Sequence, residues 1–173
     1  MIDTVAPEMA LKHVDPHARR SAAARAYIKF LRTPAGRWIG INVAARVDPW
    51  LLTRTKGRVG MPVVLPTALL EATGAKSGEP RTCPVVYFHD GRDAVLIASS
   101  FGREKDPAWS HNLRAHPQCR LGGDSFAAAL VEDEAERDRL WGLADLVYPG
   151  YGDYRARAGA VGRTIPLFRL TPA

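Results

Sequence analysis

A turn in the middle of the chain combines the residue types that bind anions. Residues 74–82 read Gly-Ala-Lys-Ser-Gly-Glu-Pro-Arg-Thr. Gly74 and Gly78 permit positive φ, which lets neighbouring backbone N–H groups converge on an anion. Lys76 and Arg81 add positive charge from the turn and from the strand after it. The order differs from a Walker A loop. The turn predicts an anion-binding site, and an ordinary solvated turn is the alternative.

A second segment predicts a cleft for a flat ligand. The apolar run from Val95 ends in Ser99 and Ser100 before a glycine, and small side chains at a strand end let a ligand approach the backbone closely. Trp109 and Asn112 lie three residues apart on the helix that follows, so both can face the same cleft. The alternative assigns Trp109 to the core and makes Asn112 a helix cap.

Three tyrosines form the third segment. Tyr148, Tyr151 and Tyr154 recur at three-residue spacing, so they would fan over one side of a helical turn. Their rings offer apolar bodies with polar tips, which suits a planar substrate. Core aromatics next to a turn are the alternative.

The other reactive residue types exclude several classes of site. The five histidines never fall into a metal-ligand spacing such as His-Glu-x-x-His, and no Gly-x-Ser-x-Gly elbow surrounds a serine. Cys83 and Cys119 lie 36 residues apart, which indicates neither a zinc ribbon nor a thioredoxin-type redox site. We therefore expect free, buried thiols and no metal.

Hydrophobic periodicity predicts the elements that position these segments. Strands are expected at 66–72, 81–88, 94–99, 119–121, 126–131 and 165–170, with glycine-containing turns at 74–78, 90–91 and 122–124. Helices are expected at 17–31, 38–46, 108–115 and from 133 or 134 to 146. Five or six antiparallel strands interrupted by helices predict an α+β domain built on a small barrel.

Composition and charge bound the rest of the chain. Its 173 residues are 46% hydrophobic, enough for one core, and the longest apolar runs are too short to span a membrane. The net charge is +6, while residues 1–66 alone carry eleven Lys and Arg against four acids. We expect a flexible tail at 1–16, a basic amphipathic helical arm at 17–60 that contacts something anionic, and a barrel domain at 61–173. A solvated helix face is the alternative for the arm. No signal peptide opens the chain, so we expect a cytoplasmic protein.

The three segments together resemble the deazaflavin-dependent nitroreductase family, whose members adopt a split β-barrel and use coenzyme F420. The matching stretches are 69–84, 98–115, 140–141, 148–154 and 163–166, so the resemblance covers residues 65–173. It implies that 61–173 is a split-barrel, deazaflavin-binding domain. The chain departs from the family pattern at Ala75, where a second basic residue is usual, at Phe101, usually glycine, and at Ser110, usually aromatic.

The resemblance also implies a role for each residue of the three segments. Lys76, Ser77 and Arg81 would hold the phosphate and the acidic tail of the coenzyme. Trp109 and Asn112 would close the site. The residues expected to line the deazaflavin ring are Thr82, Cys83, Pro84, Val86, Ile97, Ala98, Ser99 and Ser100. Ser99 and Tyr151 are the predicted catalytic residues, and Tyr148, Tyr151 and Tyr154 would form the acceptor pocket.

The implied activity is that of an oxidoreductase, which transfers a hydride from C5 of reduced deazaflavin to a planar, electron-poor acceptor such as a quinone, a nitroaromatic or an enone. The coenzyme carries the hydride, so the protein would supply position, charge and exclusion of water. An FMN enzyme of the same barrel type and a non-catalytic deazaflavin carrier are the alternatives. The arm would hold the protein at the inner face of the cell membrane, and a homodimer is left open. We expect no nucleic-acid partner, since the strands lack interleaved surface aromatics.

Overall fold

The structure is a computed structural model that describes residues 11–19, 21–31, 33–39 and 65–173. Within them the strands are β1 (Thr67–Thr73), β2 (Pro80–Asp90), β3 (Asp93–Ile97), β4 (Gln118–Leu121), β5 (Asp124–Leu130) and β6 (Leu167–Pro172). The helices are α1 (Ala22–Leu31), α2 (Pro34–Ile39), α3 (Ala108–Ala115), α4 (Glu134–Val147) and α5 (Gly150–Ala160), with a short 3₁₀ turn at Ser100–Gly102.

The six strands close into an antiparallel barrel in the order β1-β2-β3-β6-β5-β4. The β2–β3 and β4–β5 hairpins turn at the expected glycines, because Gly91, Gly122 and Gly123 have positive φ values that other residues rarely adopt. The barrel closes where β6, the last strand in the chain, pairs with both β3 and β5. The predicted α+β barrel is therefore confirmed.

Alternation along the strands divides the apolar side chains between two cores. On β3, Ala94 and Leu96 belong to the core inside the barrel, whereas Val95 and Ile97 belong to a second core outside it. The outer core lies under α4 and α5 and includes Ile28 of α1. Helices α1, α4 and α5 therefore pack on the outside of the barrel, and the interior is filled by strand side chains together with Leu113 of α3.

Part of the predicted tail is bonded to the barrel. The N–H of His89 donates to the carbonyl of Val14 at 2.8 Å, and the N–H of Val14 donates to Nδ1 of His89 at 3.1 Å. Burial lowers the pKa of His89, which keeps the ring neutral and able to accept this bond. The Tyr87 hydroxyl donates to the carbonyl of Lys12 at 2.8 Å. Residues 1–10 lie outside the described residues, and 11–16 form a strap along β2.

Capping side chains decide where the helices of the arm begin. α1 begins at Ala22 rather than at residue 17, because the Ser21 hydroxyl accepts from the N–H of Ala24 at 3.1 Å. α1 ends near Thr33 as predicted, and α2 then starts directly at Pro34. The second predicted helix, 38–46, falls mostly outside the described residues. No described helix has the length and the apolar character needed to cross a membrane.

The two helices of the outer layer follow each other closely. α4 begins after Asp133, whose carboxylate accepts from the N–H of Glu136 at 2.8 Å, so its predicted start is confirmed. α5 was expected only as one helical turn across the tyrosines, but it continues to Ala160. Its buried face contains Tyr151, Tyr154 and Ala158, at helical spacing. Three glycines within α5 weaken its helix propensity, and packing on the outer core overrides that weakness.

An ion-pair network ties the β2–β3 hairpin to α4 and β6. Arg139 of α4 pairs with Asp90 and with Glu136, at 2.5 and 2.8 Å. Arg169 of β6 pairs with Asp90 at 2.8 Å, with Asp93 at 3.0 Å and with Glu136. Hydrogen bonds from Arg139 and Arg169 lower the pKa of Asp90 to about 2, against the opposing effect of its burial. The folded state therefore favours the charged form of this carboxyl group.

Replacing Asp90 with asparagine is expected to lower the free energy of unfolding by about 1 to 2 kcal/mol near pH 6, a value reduced for solvent screening of the network. The stabilisation is complete above the ordinary pKa of 3.8 and is lost as the pH falls toward 2. Denaturant unfolding of both proteins across this range measures the effect, and the difference should shrink in acid. A difference that stays constant would show that the charge of Asp90 adds no stability.

Candidate functional site

A cavity of about 780 Å³ lies between the β1–β2 turn and α3. Seven of the residues that the sequence predicts for the coenzyme line it: Lys76, Ser77, Arg81, Thr82, Cys83, Trp109 and Asn112. The turn and the helix are distant in the chain, and the packing of α3 against β1 brings them together. Leu70, Ala72 and His111 also line the cavity and had no predicted role. His111 could have been predicted to line the cavity from its position between Trp109 and Asn112 on the same helix.

The β1–β2 turn is held by its own hydrogen bonds. The N–H of Gly74 donates to Glu79 O at 2.8 Å, and the N–H of Gly78 donates to Gly74 O at 2.9 Å. A Cβ on Gly74 would lie 2.7 Å from Ser77 Oγ and 3.2 Å from Glu79 O, so a larger residue there would displace the Ser77 side chain, whereas Gly78 is needed for its φ of +69°. These bonds occupy backbone N–H groups that the sequence offered to an anion. Anion binding therefore depends more on side chains than expected.

The cationic side chains of the turn stand at the edge of the cavity. Lys76 and Arg81 are exposed, and Nη2 of Arg81 donates to Ser77 Oγ at 3.4 Å, which directs the guanidinium along the turn. Within the described residues neither cation forms an ion pair with a carboxylate. Both charges are therefore available to an anionic ligand.

Asn112 joins α3 to the turn. Its Oδ1 accepts from the N–H of Ala75 at 2.9 Å, so its side chain bonds another element and does not cap its own helix. No described residue accepts a hydrogen bond from its Nδ2 group, which is therefore available to a ligand in the cavity. Trp109 is half-buried, with its ring centroid 5.7 Å from that of Phe168 in the barrel interior. Trp109 therefore closes the end of the barrel and lines the cavity at the same time.

The cavity offers groups that bind rather than react. Burial raises the pKa of the Cys83 thiol to about 11, so the thiol stays protonated near neutral pH. Across the described parts of the chain, no group of three or more His, Cys, Asp or Glu side chains is placed to hold a metal ion. The arrangement can hold an anionic, partly apolar ligand, and the reactive chemistry must come with that ligand.

The loop after β3 bends through an uncommon backbone conformation. Ser100 and Phe101 have φ values of 47° and 57°, in the left-handed region that residues other than glycine rarely adopt. Gly102 follows with a φ of 73°, and a Cβ there would lie 2.8 Å from Tyr154 O. α5 therefore packs directly on this loop, immediately after Ser99.

Arg163 holds the same loop in place. Its side chain is only 8% exposed, and its Nε pairs with Asp106 Oδ1 at 2.7 Å. Its Nη1 donates to Ser99 O at 3.1 Å and to Arg103 O at 2.7 Å. Its Nη2 donates to Ala98 O. One guanidinium thus satisfies four acceptors between residues 98 and 106 and fixes the shape of the loop that carries Ser99.

Six residues predicted for the deazaflavin ring are not among the described residues that line the cavity: Pro84, Val86, Ile97, Ala98, Ser99 and Ser100. Ile97 belongs to the outer core and Ala98 to the barrel interior. Ser99 and Ser100 are half-buried in the loop. Contact of these residues with the ring stays a prediction.

The three tyrosines are buried in the outer core. The rings of Tyr148 and Tyr151 meet edge to face at 5.4 Å, and the hydroxyls of Tyr148 and Tyr154 are 3.4 Å apart. Burial raises the pKa of Tyr151 and of Tyr154 well above the ordinary range, so both hydroxyls keep their protons. The tyrosines thus take the place of core aromatics, the alternative stated for them. Their role in binding an acceptor stays a prediction.

Comparison with known proteins decides the family. A family model described as F420H(2)-dependent quinone reductase matches residues 44–172. The chain belongs to this family. The predicted deazaflavin resemblance and the predicted F420-using oxidoreductase are therefore confirmed, and F420 rather than FMN is the coenzyme of the family.

Individual relatives agree with this assignment. An F420H(2)-dependent quinone reductase of Mycobacterium tuberculosis is 32% identical over 146 residues, which cover 78% of this chain and 96% of that protein. A solved structure described as an F420-H2 dependent reductase, FDR-A, has a TM-score of 0.52 and 33% identity, and the match covers 61% of this chain and 93% of that one. Another, described as a domain-swapped dimer, has a TM-score of 0.52 and 27% identity over 70% of this chain and 97% of its own.

The cavity residues fit the coenzyme of the F420H(2)-dependent quinone reductase family. The volume of the cavity lies within the range of about 300 to 1,000 Å³ that is common among small-molecule sites. The cations at one edge suit the phosphate and the acidic tail, and the apolar wall beside Trp109 suits a flat ring system. The family resemblance includes the stretch that begins at Arg163, but no function was predicted for Arg163, because the hydrogen-bond partners of its side chain lie about sixty residues earlier in the chain.

Replacing Arg163 with methionine is expected to lower the free energy of unfolding by about 3 to 5 kcal/mol, because it leaves Asp106 and three carbonyls without their shared donor. Arg114 provides the matched control, since it pairs with the same Asp106 at 3.4 Å but is 38% exposed. Arg114→Met should cost less than about 1 kcal/mol. Thermal unfolding of both variants checks this, and equal losses would show that Arg163 has no special hold on the loop.

Proposed function

We propose that this protein reduces a quinone with hydride supplied by reduced F420, which is bound in the cavity between the β1–β2 turn and α3. One observation carries the proposal. Lys76 and Arg81, two cations without a carboxylate partner among the described residues, line the same cavity as the amide of Asn112. This arrangement occurs in a chain of the F420H(2)-dependent quinone reductase family. Nitroaromatics and enones are proposed as further acceptors, because they are also planar and electron-poor.

The residues of the turn bind the coenzyme by charge and by position. Lys76, Ser77 and Arg81 hold its phosphate and acidic tail, which is supported by their place at the cavity edge. Thr82 and Cys83 form the wall beside the ring, and Trp109 excludes water from it. The turn is already ordered by its own hydrogen bonds, so little conformational freedom is lost when the ligand binds.

The acceptor is oriented by Ser99, in the loop after β3, and by the three tyrosines of the outer core. The Ser99 hydroxyl donates a hydrogen bond to the acceptor, held in place by the carbonyl contact between Arg163 and Ser99. Tyr148, Tyr151 and Tyr154 form the wall of the acceptor pocket. The raised pKa of Tyr151 favours hydrogen-bond donation over proton transfer from this residue.

One anaerobic titration tests the proposed activity. The absorbance of reduced F420 is followed with the protein alone and then after addition of menadione. Oxidation of the coenzyme only when both protein and menadione are present supports the proposal. Tight binding without any turnover, for menadione and for a nitroaromatic acceptor, would instead indicate a coenzyme carrier.

The Arg81→Ala variant is expected to weaken F420 binding by roughly 10- to 100-fold, since a charge-assisted hydrogen bond is worth about 1.5 to 3 kcal/mol. Calorimetry with F420 and with FMN measures this loss and the coenzyme preference. Arg92→Ala is the matched control, because Arg92 is exposed in the β2–β3 turn and lies outside the described cavity lining. Equal binding by both variants, or tighter binding of FMN than of F420, would contradict the assigned tail site.

We also propose that the arm brings the protein to an anionic membrane surface, from which a lipophilic quinone would be delivered. Trp38 of α2 is 62% exposed and Phe30 of α1 is 42% exposed, close in sequence to the exposed side chains of Arg25 and Lys29. Large apolar side chains beside basic ones are typical of surface-binding helices. Ile28, on the other side of α1, is buried in the outer core and anchors the helix to the domain.

The protein should therefore sediment with anionic vesicles at low salt, less with neutral vesicles, and less again at high salt, where screening weakens the attraction. Trp38→Ser should reduce the bound fraction without lowering the melting temperature. Equal recovery with both vesicle types would leave the arm as a packing helix or as a contact between two copies. Light scattering separates these outcomes, and the domain-swapped dimer among the structural relatives makes a homodimer the proposal to test.

A further inference from the structure

Arg157 of α5 carries two buried N–H donors without partners. Its Nε and Nη2 are shielded from solvent, and neither has a hydrogen-bond partner among the described residues. The described ion pairs do not include Arg157 either. Buried polar groups are nearly always paired, because an unpaired one loses its hydration without compensation. A charged side chain with two such donors indicates a partner beyond the described residues, such as a bound ligand.

The neighbouring arginines differ from Arg157 in this respect. Arg155, two residues earlier on α5, pairs with Asp145 at 2.7 Å and stacks over Trp141. Arg163 is fully engaged in the loop after β3. Arg157 is thus the cation of this region whose buried donors remain uncompensated within the described residues.

The guanidinium of Arg157 lies between the tyrosine cluster and the loop after β3. Its Cζ is 5.0 Å from the centroid of the Tyr154 ring. Its Cβ would lie 3.1 Å from a Cβ added to Gly102, the third residue after Ser99. Arg157 as a whole is only half-buried, so this position is at the edge of the outer core. Arg157 therefore lies against the Tyr154 ring and beside the loop that follows Ser99.

Neither tyrosine hydroxyl near it serves as its counter-ion. The hydroxyls of Tyr148 and Tyr154 are within hydrogen-bond distance of each other. Burial raises the pKa of Tyr154, and the nearby charge of Arg157 offsets this only in part. The phenol stays neutral, so the positive charge persists beside the ring.

Reduction of a quinone creates the charge that such a group fits. The quinone gains a hydride, that is, two electrons and one proton, while F420H2 is oxidised to F420 and releases its second proton to the solvent. The product is a hydroquinone mono-anion with its charge on a ring oxygen, and one proton from water completes the hydroquinone. Donors that are already in place where charge develops stabilise it without reorganisation. A guanidinium is suited to this role because its planar N–H groups keep their charge and their geometry.

We propose that Arg157 binds the acceptor oxygen on which negative charge develops, through Nε and Nη2, beside the ring of Tyr154. This inference rests on the proposed quinone reduction and names the contact that stabilises its anionic product. It makes Arg157 a catalytic residue on the acceptor side of the site, separate from the cations that hold the coenzyme tail.

Binding of two naphthoquinones to the protein without coenzyme tests the proposal. The probes are 2-hydroxy-1,4-naphthoquinone, an anion at neutral pH, and menadione, a neutral molecule with the same ring system. The anion should bind about tenfold or more tightly than menadione, with a shift of its visible absorbance band. Arg157→Met should lose this preference by about tenfold or more, whereas its affinity for menadione should change less than about threefold. Arg155→Met, the matched control on the same helix, should keep it.

Thermal unfolding separates this role from a structural one. Removal of unpaired buried donors should leave the melting temperature of Arg157→Met unchanged or raised. A folded Arg157→Met protein that keeps the anion preference would overturn the proposal, and so would a lowered melting temperature with equal losses for both probes. If Arg157→Met does not fold, Arg157→Gln replaces it, and failure of both to fold assigns a structural role instead. Anion preference in a protein that never oxidises reduced F420 would contradict the proposed function and leave the anion site standing.

Discussion

Closure of the barrel is the constraint on which the other features depend. A closed six-stranded sheet gives each strand an inward and an outward face, and the interior of so small a barrel is filled by side chains. Ala68, Ala94 and Ala98 contribute to that filling with small groups, next to branched ones such as Leu70. A ligand is therefore excluded from the interior and must bind at an end or on the outside. Two regions satisfy this condition. One is the cavity at the barrel end that Trp109 closes, and the other is the tyrosine cluster in the outer layer.

The loop from Ala98 to Asp106 lies between these two regions. Two arginines approach it, and their hydrogen bonding differs. The buried guanidinium of Arg163 donates to the loop carbonyls and pairs with Asp106, so these contacts stabilise the loop. Arg157 approaches the same loop at Gly102 with two buried donors that no described residue pairs, which costs stability unless a ligand binds them. Arg163 thus supports the loop, whereas the donors of Arg157 are the ones proposed to bind the acceptor.

Local signals explain which parts were predictable from the sequence. The glycine turns at Gly91 and Gly122 and the helix that ends before Pro117 were predicted correctly, because each depends on residues within a few positions. The cavity residues of the turn and of α3 were selected by their motifs, and folding brought them together. The bonds of Val14 to β2 and the role of Arg163 were not predicted, since their partners lie 57 or more residues away. The burial of the three tyrosines in the outer core likewise depends on helical packing, and their contact with an acceptor stays a prediction.

Phe101 links the history of this chain to its geometry. The family resemblance leads one to expect glycine at this position, and the left-handed φ of 57° is the reason, because glycine adopts it without strain. The phenylalanine ring instead meets Tyr154 edge to face at 5.9 Å, which recovers part of the backbone cost. In evolutionary terms this contact couples the two positions, because loss of the Tyr154 ring would leave the left-handed backbone at Phe101 without this compensation.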